Sequence, residues 1–136
     1  MKMKGRKMWV VLIVAGVIGL MAYVRLAPSD PAIWHVDVPR LEDKDFAGGV
    51  IRVIDGDAAT LESLTQIAEA DGAQPFAGDL ASGHLTYISR SKIVAFPDYT
   101  TLQLKDGKIA IYGRLRFGKS DTGVNRRRVS QWLAQL

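Results

Sequence analysis

Residues 116–128, RFGKSDTGVNRRR, carry five of the 18 Lys and Arg side chains of this 136-residue chain, and they are where chemistry is first to be sought. One candidate is phosphate binding, because Gly113 to Ser120 reads GRLRFGKS and satisfies Gly, four residues, Gly-Lys-Ser. In that motif a glycine-rich loop after a buried parallel strand cradles phosphates with backbone N–H groups, while the Lys and Ser reach phosphate and magnesium. Here Arg114, Leu115, Arg116 and Phe117 alternate polar and apolar as a strand does. Only 16 residues follow Ser120, too few for the strands and metal-binding aspartate of a nucleotide-binding fold. The stretch therefore reads as a strand end, a turn and a helix start, and neither a nucleotide nor any other cofactor is expected.

A second chemistry is anion binding by arginine, whose planar fork offers two aligned donors to carboxylate or phosphate. Arg90, Arg114, Arg116, Arg126, Arg127 and Arg128, with Tyr112 among them, are the candidate ligand-binding residues. The third is hydrolysis. It would combine His84 or His35, the two histidines, with Asp98 or Asp121. No nucleophile elbow, paired-carboxylate spacing or metal triad accompanies those residues, so no catalytic or metal-ligating residue is assigned. Zero cysteines exclude disulfides, thiolate metal sites and cysteine nucleophiles. Nucleic acid is not an expected partner, since the basic residues match no reading motif.

The elements that position these residues begin with residues 8–24, MWVVLIVAGVIGLMAYV, an uncharged run behind Lys2, Lys4, Arg6 and Lys7. It suits a single-pass signal anchor better than a cleaved signal peptide, because Leu20 before Ala22 and Arg25 before Ala27 are poor cleavage contexts. The positive-inside rule puts the N-terminus in the cytoplasm and the C-terminal domain outside, in the periplasm of a two-membrane bacterium. The expected division is a basic end and transmembrane anchor at 1–25, a Pro-rich tether at 26–40 and an α+β domain at 41–136. Pro28, Pro31 and Pro39 keep the tether extended. Its Trp34 sits either at headgroup level or, as is commoner for tryptophan, in the domain's core.

Within the domain, residues 50–54 form a possible extra strand, followed by a helix capped by Asp57 or Thr60 with Leu61, Leu64, Ile67 and Ala68 as its apolar stripe. Residues 73–83 read as a loop or irregular strand. A three-stranded meander follows over 85–93, 99–105 and 108–117, turned by Phe96-Pro97-Asp98 and by the hairpin pair Asp106-Gly107. Pairing Lys105 with Lys108 puts Leu102, Leu104, Ile109, Ile111, Leu115 and Phe117 on a core face. Tyr99, Thr101, Gln103, Tyr112, Arg114 and Arg116 then lie on a polar, basic face expected to be open to solvent. On that reading Arg114→Gln with Arg116→Gln leaves the fold intact. Asp121 is the expected cap of the last helix, with Arg126, Arg127 and Arg128 in its early turns and Val129, Trp132, Leu133 and Leu136 facing the core. The fold class is thus α+β, a small antiparallel sheet with two helices on one face.

Charge is segregated along the chain: residues 30–79 hold 11 acids and 3 bases, and residues 80–136 hold 10 bases and 3 acids. The two parts are expected to dock on each other, or to leave one acidic and one basic face.

APSDPAIWHVD at 27–37, HLTYISRSKIVAFPDYTTLQL at 84–104 and IYGRLRFGKSDTGVNRRRVSQWL at 111–133 together resemble the bacterial and plastid family catalogued as domain of unknown function 1499. The typical marks are Arg90-Ser91, the Phe-Pro-Asp-Tyr corner, and a stretch filled by Arg116, Gly118, Ser120, Asp121, Gly123, Asn125 and Arg128, with Gly113 where serine is expected. The resemblance implies a small exported or membrane-anchored α+β domain and carries over no catalytic residue. Read from the residues themselves, Pro97, Asp98, Gly118, Ser120, Asp121, Gly123 and Asn125 are makers of structural turns. The functional expectation is a non-enzymatic, membrane-anchored envelope module that takes an anionic ligand, lipid headgroup or protein partner.

Overall fold

The structure, a computed structural model, describes residues 2–91 and 95–136. Its first element, α1 (Lys2–Leu26), has 25 residues and is about 37 Å long at 1.5 Å per residue. Val10, Val11, Leu12, Ile13, Ile18 and Leu20 all stand exposed around it. A helix apolar on every side suits a hydrocarbon surrounding. By length and composition it can cross a bilayer, a test that an N-terminal signal sequence also passes. Its last turn docks on the domain: Val24 is buried, and the Tyr23 ring meets Phe117 edge-on with centroids 6.2 Å apart.

Beyond α1 the chain makes one short turn of helix, α2 (Pro31–Trp34), capped by the Asp30 carboxylate, which accepts the Ala32 N–H at 2.9 Å. Then come β1 (Lys44–Phe46), β2 (Gly49–Asp55), α3 (Ala58–Ala70), β3 (Gln74–Asp79), β4 (His84–Arg90), β5 (Pro97–Lys105), β6 (Lys108–Leu115) and α4 (Val124–Leu133). The strands form one antiparallel sheet in the order β1-β2-β6-β5-β4-β3. Asp106 and Gly107 both have positive φ, 53° and 75°, the type I′ geometry whose twist matches the flanking strands. It fixes Lys105 opposite Lys108, and with that the two faces of the meander, as expected.

The sheet has six strands where the sequence suggests a three-stranded meander with one extra. Strand β2 is that extra strand, and β1 and β3 are added at the edges. Edge pairing needs little sequence signal: β1 is three exposed residues, and β3 carries Pro75 beside a bulge, a use of proline that an edge tolerates. Ile93, the expected end of β4, lies outside the described residues.

Helix α3 links β2 to β3 at the other side of the sheet, and its start is a capping box in which Asp57 accepts the Thr60 N–H. Helix α4 begins later than expected. Gly123, at φ 80°, is its N-cap, and Asp121 reaches forward to accept the N–H groups of Gly123 and Asn125 at 2.9 and 3.0 Å. The left-handed glycine moves the first helical residue past the aspartate that still satisfies its donors.

Both helices cover the same sheet face. Val50, Leu61, Leu64, Leu102, Ile109, Ile111, Val129 and Trp132 are buried together between them. Leu115, expected on the core face, lies outside this cluster, and Leu136 is exposed. The Trp132 indole N–H donates to Asp71 at 2.8 Å, so its one polar group is satisfied although the residue is fully buried. Trp132→Ala should therefore lower stability by about 3–5 kcal/mol through the cavity left behind. Denaturant unfolding of the detergent-solubilised protein measures it, and a loss under about 1 kcal/mol would show that this helix is not the sheet's main cover.

Candidate functional site

The polar sheet face is not open. Residues 27–38 lie across it and are held chiefly by two arginines. Arg114 is buried, 6% exposed, and has no carboxylate partner among the described residues. It donates to the Thr101 hydroxyl at 2.7 Å, to the Tyr112 carbonyl at 3.0 Å and to the carbonyl of Trp34, and its guanidinium lies 4.4 Å from the Tyr112 ring centroid. Burial lowers its pKa to about 10, against the pull of the Tyr112 and Tyr99 phenols, so it remains a cation at neutral pH. Arg116 donates to the Pro28 carbonyl at 3.0 Å and to the Tyr99 and Ser29 hydroxyls at 3.2 and 3.3 Å. Trp34 stacks on Tyr99, centroids 4.4 Å apart and planes within 9°. The tether is thus a seated strap, and the expected basic face is its seat.

His35 on the strap meets His84 on β4, although 48 residues lie between them. Their rings stack at 4.1 Å. One His35 ring nitrogen pairs with the Thr86 hydroxyl at 2.8 Å, and Thr86 pairs with Thr101, which connects the pair to Arg114. On the other ring, Nε2 of His84 donates to the Val36 carbonyl at 3.0 Å, and Nδ1 lies 3.9 Å from Asp37. Burial, with the charges of His84 and Arg114, lowers the His35 pKa from 6.5, against Asp37.

The hydrolase combination fails on geometry. Asp98 pairs with Leu115 across β5 and β6, on the helix-covered face, whereas His35 and His84 lie on the opposite face with Thr86 and Thr101. A six-stranded sheet separates the bases from Asp98 and from Asp121 beside it.

On the helix-covered side, a cleft of about 300 Å³ opens between the 95–98 corner and the start of α4. Asp98, Asp121 and Arg128 are its charged lining, and Asn125 ties them together from behind. This fully buried side chain donates to Asp121 at 2.9 Å and Asp98 at 3.3 Å and accepts from Arg128 at 2.8 Å. It comes so near the sheet because Gly113 has no side chain: a β-carbon there would lie 3.1 Å from the Asn125 amide oxygen. Arg128 also pairs with Asp98 at 3.3 Å, both side chains 14% exposed. Burial raises the Asp98 pKa more than Arg128 lowers it. Burial acts upward on Asp121 too, but bonds from Asn125 and the Gly123 N–H outweigh it and hold that carboxyl low.

Only one Asp98 oxygen and one Arg128 nitrogen are used by described residues, which leaves a carboxylate oxygen and an edge of the guanidinium for the cleft. Phe96, Leu115, Phe117 and Val124 supply apolar walls. The hydroxyls of Ser91 and Ser120 accept the N–H groups of Phe96 and Thr122 at 3.0 and 3.2 Å, and no histidine is near to activate them. The arrangement can hold a polar group that both donates and accepts, with an apolar part beside it.

The remaining candidates scatter. Arg90 donates to the Ala95 carbonyl at 3.1 Å, Arg127 to the Thr122 carbonyl at 3.1 Å, and Arg126 lies 3.8 Å from Asp45. Arg126–Asp45 and Lys108–Asp55 join the basic and acidic parts, and both are exposed pairs of small worth. Pro97 is buried opposite Arg90, and Gly118 turns the chain at φ 101°. Fold and cleft define an α+β domain that follows an N-terminal apolar helix. The family model described as a protein of unknown function, DUF1499, matches residues 27–136, and the chain belongs to that family. The match takes in the strap as well as the sheet. No curated protein matches the chain.

The histidine stack sets a pH dependence. The unfolded chain protonates His35 near 6.5 and the folded chain only at lower pH, so the unfolded state binds more protons in between. Stability should hold above about pH 6.5 and fall as pH drops below it, and His35→Gln should flatten that slope. Thermal midpoints across the range decide, and an equal slope in both proteins would remove the stack as its source.

Proposed function

We propose that this protein is a non-enzymatic binding module anchored in the inner (plasma) membrane by α1, with its N-terminus cytoplasmic and its domain in the periplasm or its equivalent. The cations ahead of residue 8 and the uncharged run behind them support that topology. The binding surface is the cleft and not the arginine face, because Arg114 and Arg116 direct donors to the strap carbonyls of Trp34 and Pro28 and to sheet acceptors beneath it. What carries the reading is the cleft floor, where an Asp98 oxygen and an Arg128 edge face an apolar-walled space with no activated nucleophile beside them. Apolar walls with a few convergent polar groups are the usual make-up of a ligand site.

A C-terminal reporter that works only outside the cytoplasm should be active, and activity of a cytoplasm-only reporter instead would reverse the topology. Full-length protein taken from its own membranes into mild detergent should carry one bound species by native mass spectrometry. Val124→Trp, which fills the cleft mouth from an exposed position, should lose it. A protein that carries nothing, or a bound species that changes mass on incubation, contradicts the binding-module reading.

A further inference from the structure

Three rings connect the end of the apolar helix to the mouth of the cleft. Tyr23 meets Phe117 at 6.2 Å, and Phe117 meets Phe96 at 6.5 Å between centroids. Tyr23 is the next-to-last residue of the uncharged run, so in a spanning helix it stands at the boundary between hydrocarbon and headgroups, where such rings concentrate. The domain cannot swing away on a loose tether. Val24 is buried against it, and the carbonyls of Pro28 and Trp34 are bonded to Arg116 and Arg114. Phe96 and Val124 remain 43% and 38% exposed at the cleft mouth, apolar surface that continues the ring chain from Tyr23.

The floor carries both signs of charge. Asp98 offers an acceptor oxygen beside Asp121, whose two oxygens already accept from Gly123 and Asn125, and Arg128 offers donors to an anion. A purely anionic head would meet two carboxylates, and a purely cationic one would meet the guanidinium. We propose that the cleft holds an aminophospholipid drawn from the adjoining bilayer, its phosphate on Arg128, its ammonium on Asp98 and its acyl chains leaving over the paired rings of Phe96 and Phe117. This rests on the reading of the cleft as a binding site and names its ligand class. The ammonium must bear N–H groups, because Asp98 recognises it by accepting a hydrogen bond. A quaternary choline head has none, and it is bulkier.

The test uses full-length protein reconstituted in nanodiscs with equal parts phosphatidylethanolamine and phosphatidylcholine, then released into mild detergent for native mass spectrometry. The expected result is one retained phosphatidylethanolamine per protein, favoured about tenfold over phosphatidylcholine, the ratio that 1.4 kcal/mol of selectivity gives. Asp98→Asn should bring the ratio toward one, and Val124→Trp should abolish retention of either lipid. Equal retention of both lipids by the parent, or the same retention in Val124→Trp, is annular lipid only and overturns the proposal. If the species carried from native membranes is lost in Val124→Trp but is not a phospholipid, the cleft remains a binding site and the lipid assignment falls. If neither preparation retains anything, both fall together.

Discussion

Arg114 is a buried guanidinium with no carboxylate beside it among the described residues, and the arrangement of the domain follows from how that charge is satisfied. An unpaired cation in an apolar setting is costly unless its donors are all directed at acceptors. Here the acceptors are the Thr101 hydroxyl and the carbonyls of Tyr112 and Trp34, with the Tyr112 ring beneath the plane. Hydrogen bonds to a charged group contribute about 1.5–3 kcal/mol each. The Trp34 carbonyl belongs to the segment that follows the apolar helix, so satisfying the charge also ties that helix to the sheet. Trp34 on Tyr99, Arg116 on the Pro28 carbonyl and His35 on Thr86 extend the same seam.

With one sheet face beneath helices and the other beneath this strap, the cleft opens at one end of the domain. The cleft there depends on a different constraint, the close approach of Asn125 to Gly113. Gly49 permits the neighbouring contact, since a β-carbon on it would meet the Gly113 carbonyl at 2.0 Å. Gly49 thus lets β2 lie close on β6, and Gly113 lets the α4 start sit low on the sheet. One asparagine then sets Asp98, Asp121 and Arg128 around itself. A side chain at position 113 would crowd the asparagine, which must give by a few tenths of an ångström to admit even a β-carbon.

Much of the frame was legible because it is local. The Asp106-Gly107 pair fixed the register, and alternation then separated Leu102 and Ile111 from Thr101 and Tyr112. The Asp57 cap and the Val129–Trp132 spacing located two helices. Alternation says which face a side chain points to but not what covers that face. Arg114 therefore looked free, because its cover is an irregular, proline-bearing segment with no periodicity to announce packing. The histidines looked remote because their contact depends on where the strap crosses β4. Gly113 was the one local sign of the cleft, a glycine inside a strand with no turn to explain it, the mark of a backbone approached closely.

The central claim is that the Arg114 charge holds residues 27–38 on the sheet. Hydrogen–deuterium exchange on the full-length protein tests it most directly, comparing the parent with Arg114→Gln. In the parent the amides of Trp34, His35 and Val38, bonded to the Asp30 and Pro31 carbonyls and the Gln103 side chain, should be protected. In Arg114→Gln they should exchange several-fold to orders of magnitude faster while β5 and β6 stay protected, a local opening of the strap. Strap amides that exchange freely in the parent, or a strap equally protected in both proteins, would contradict the account.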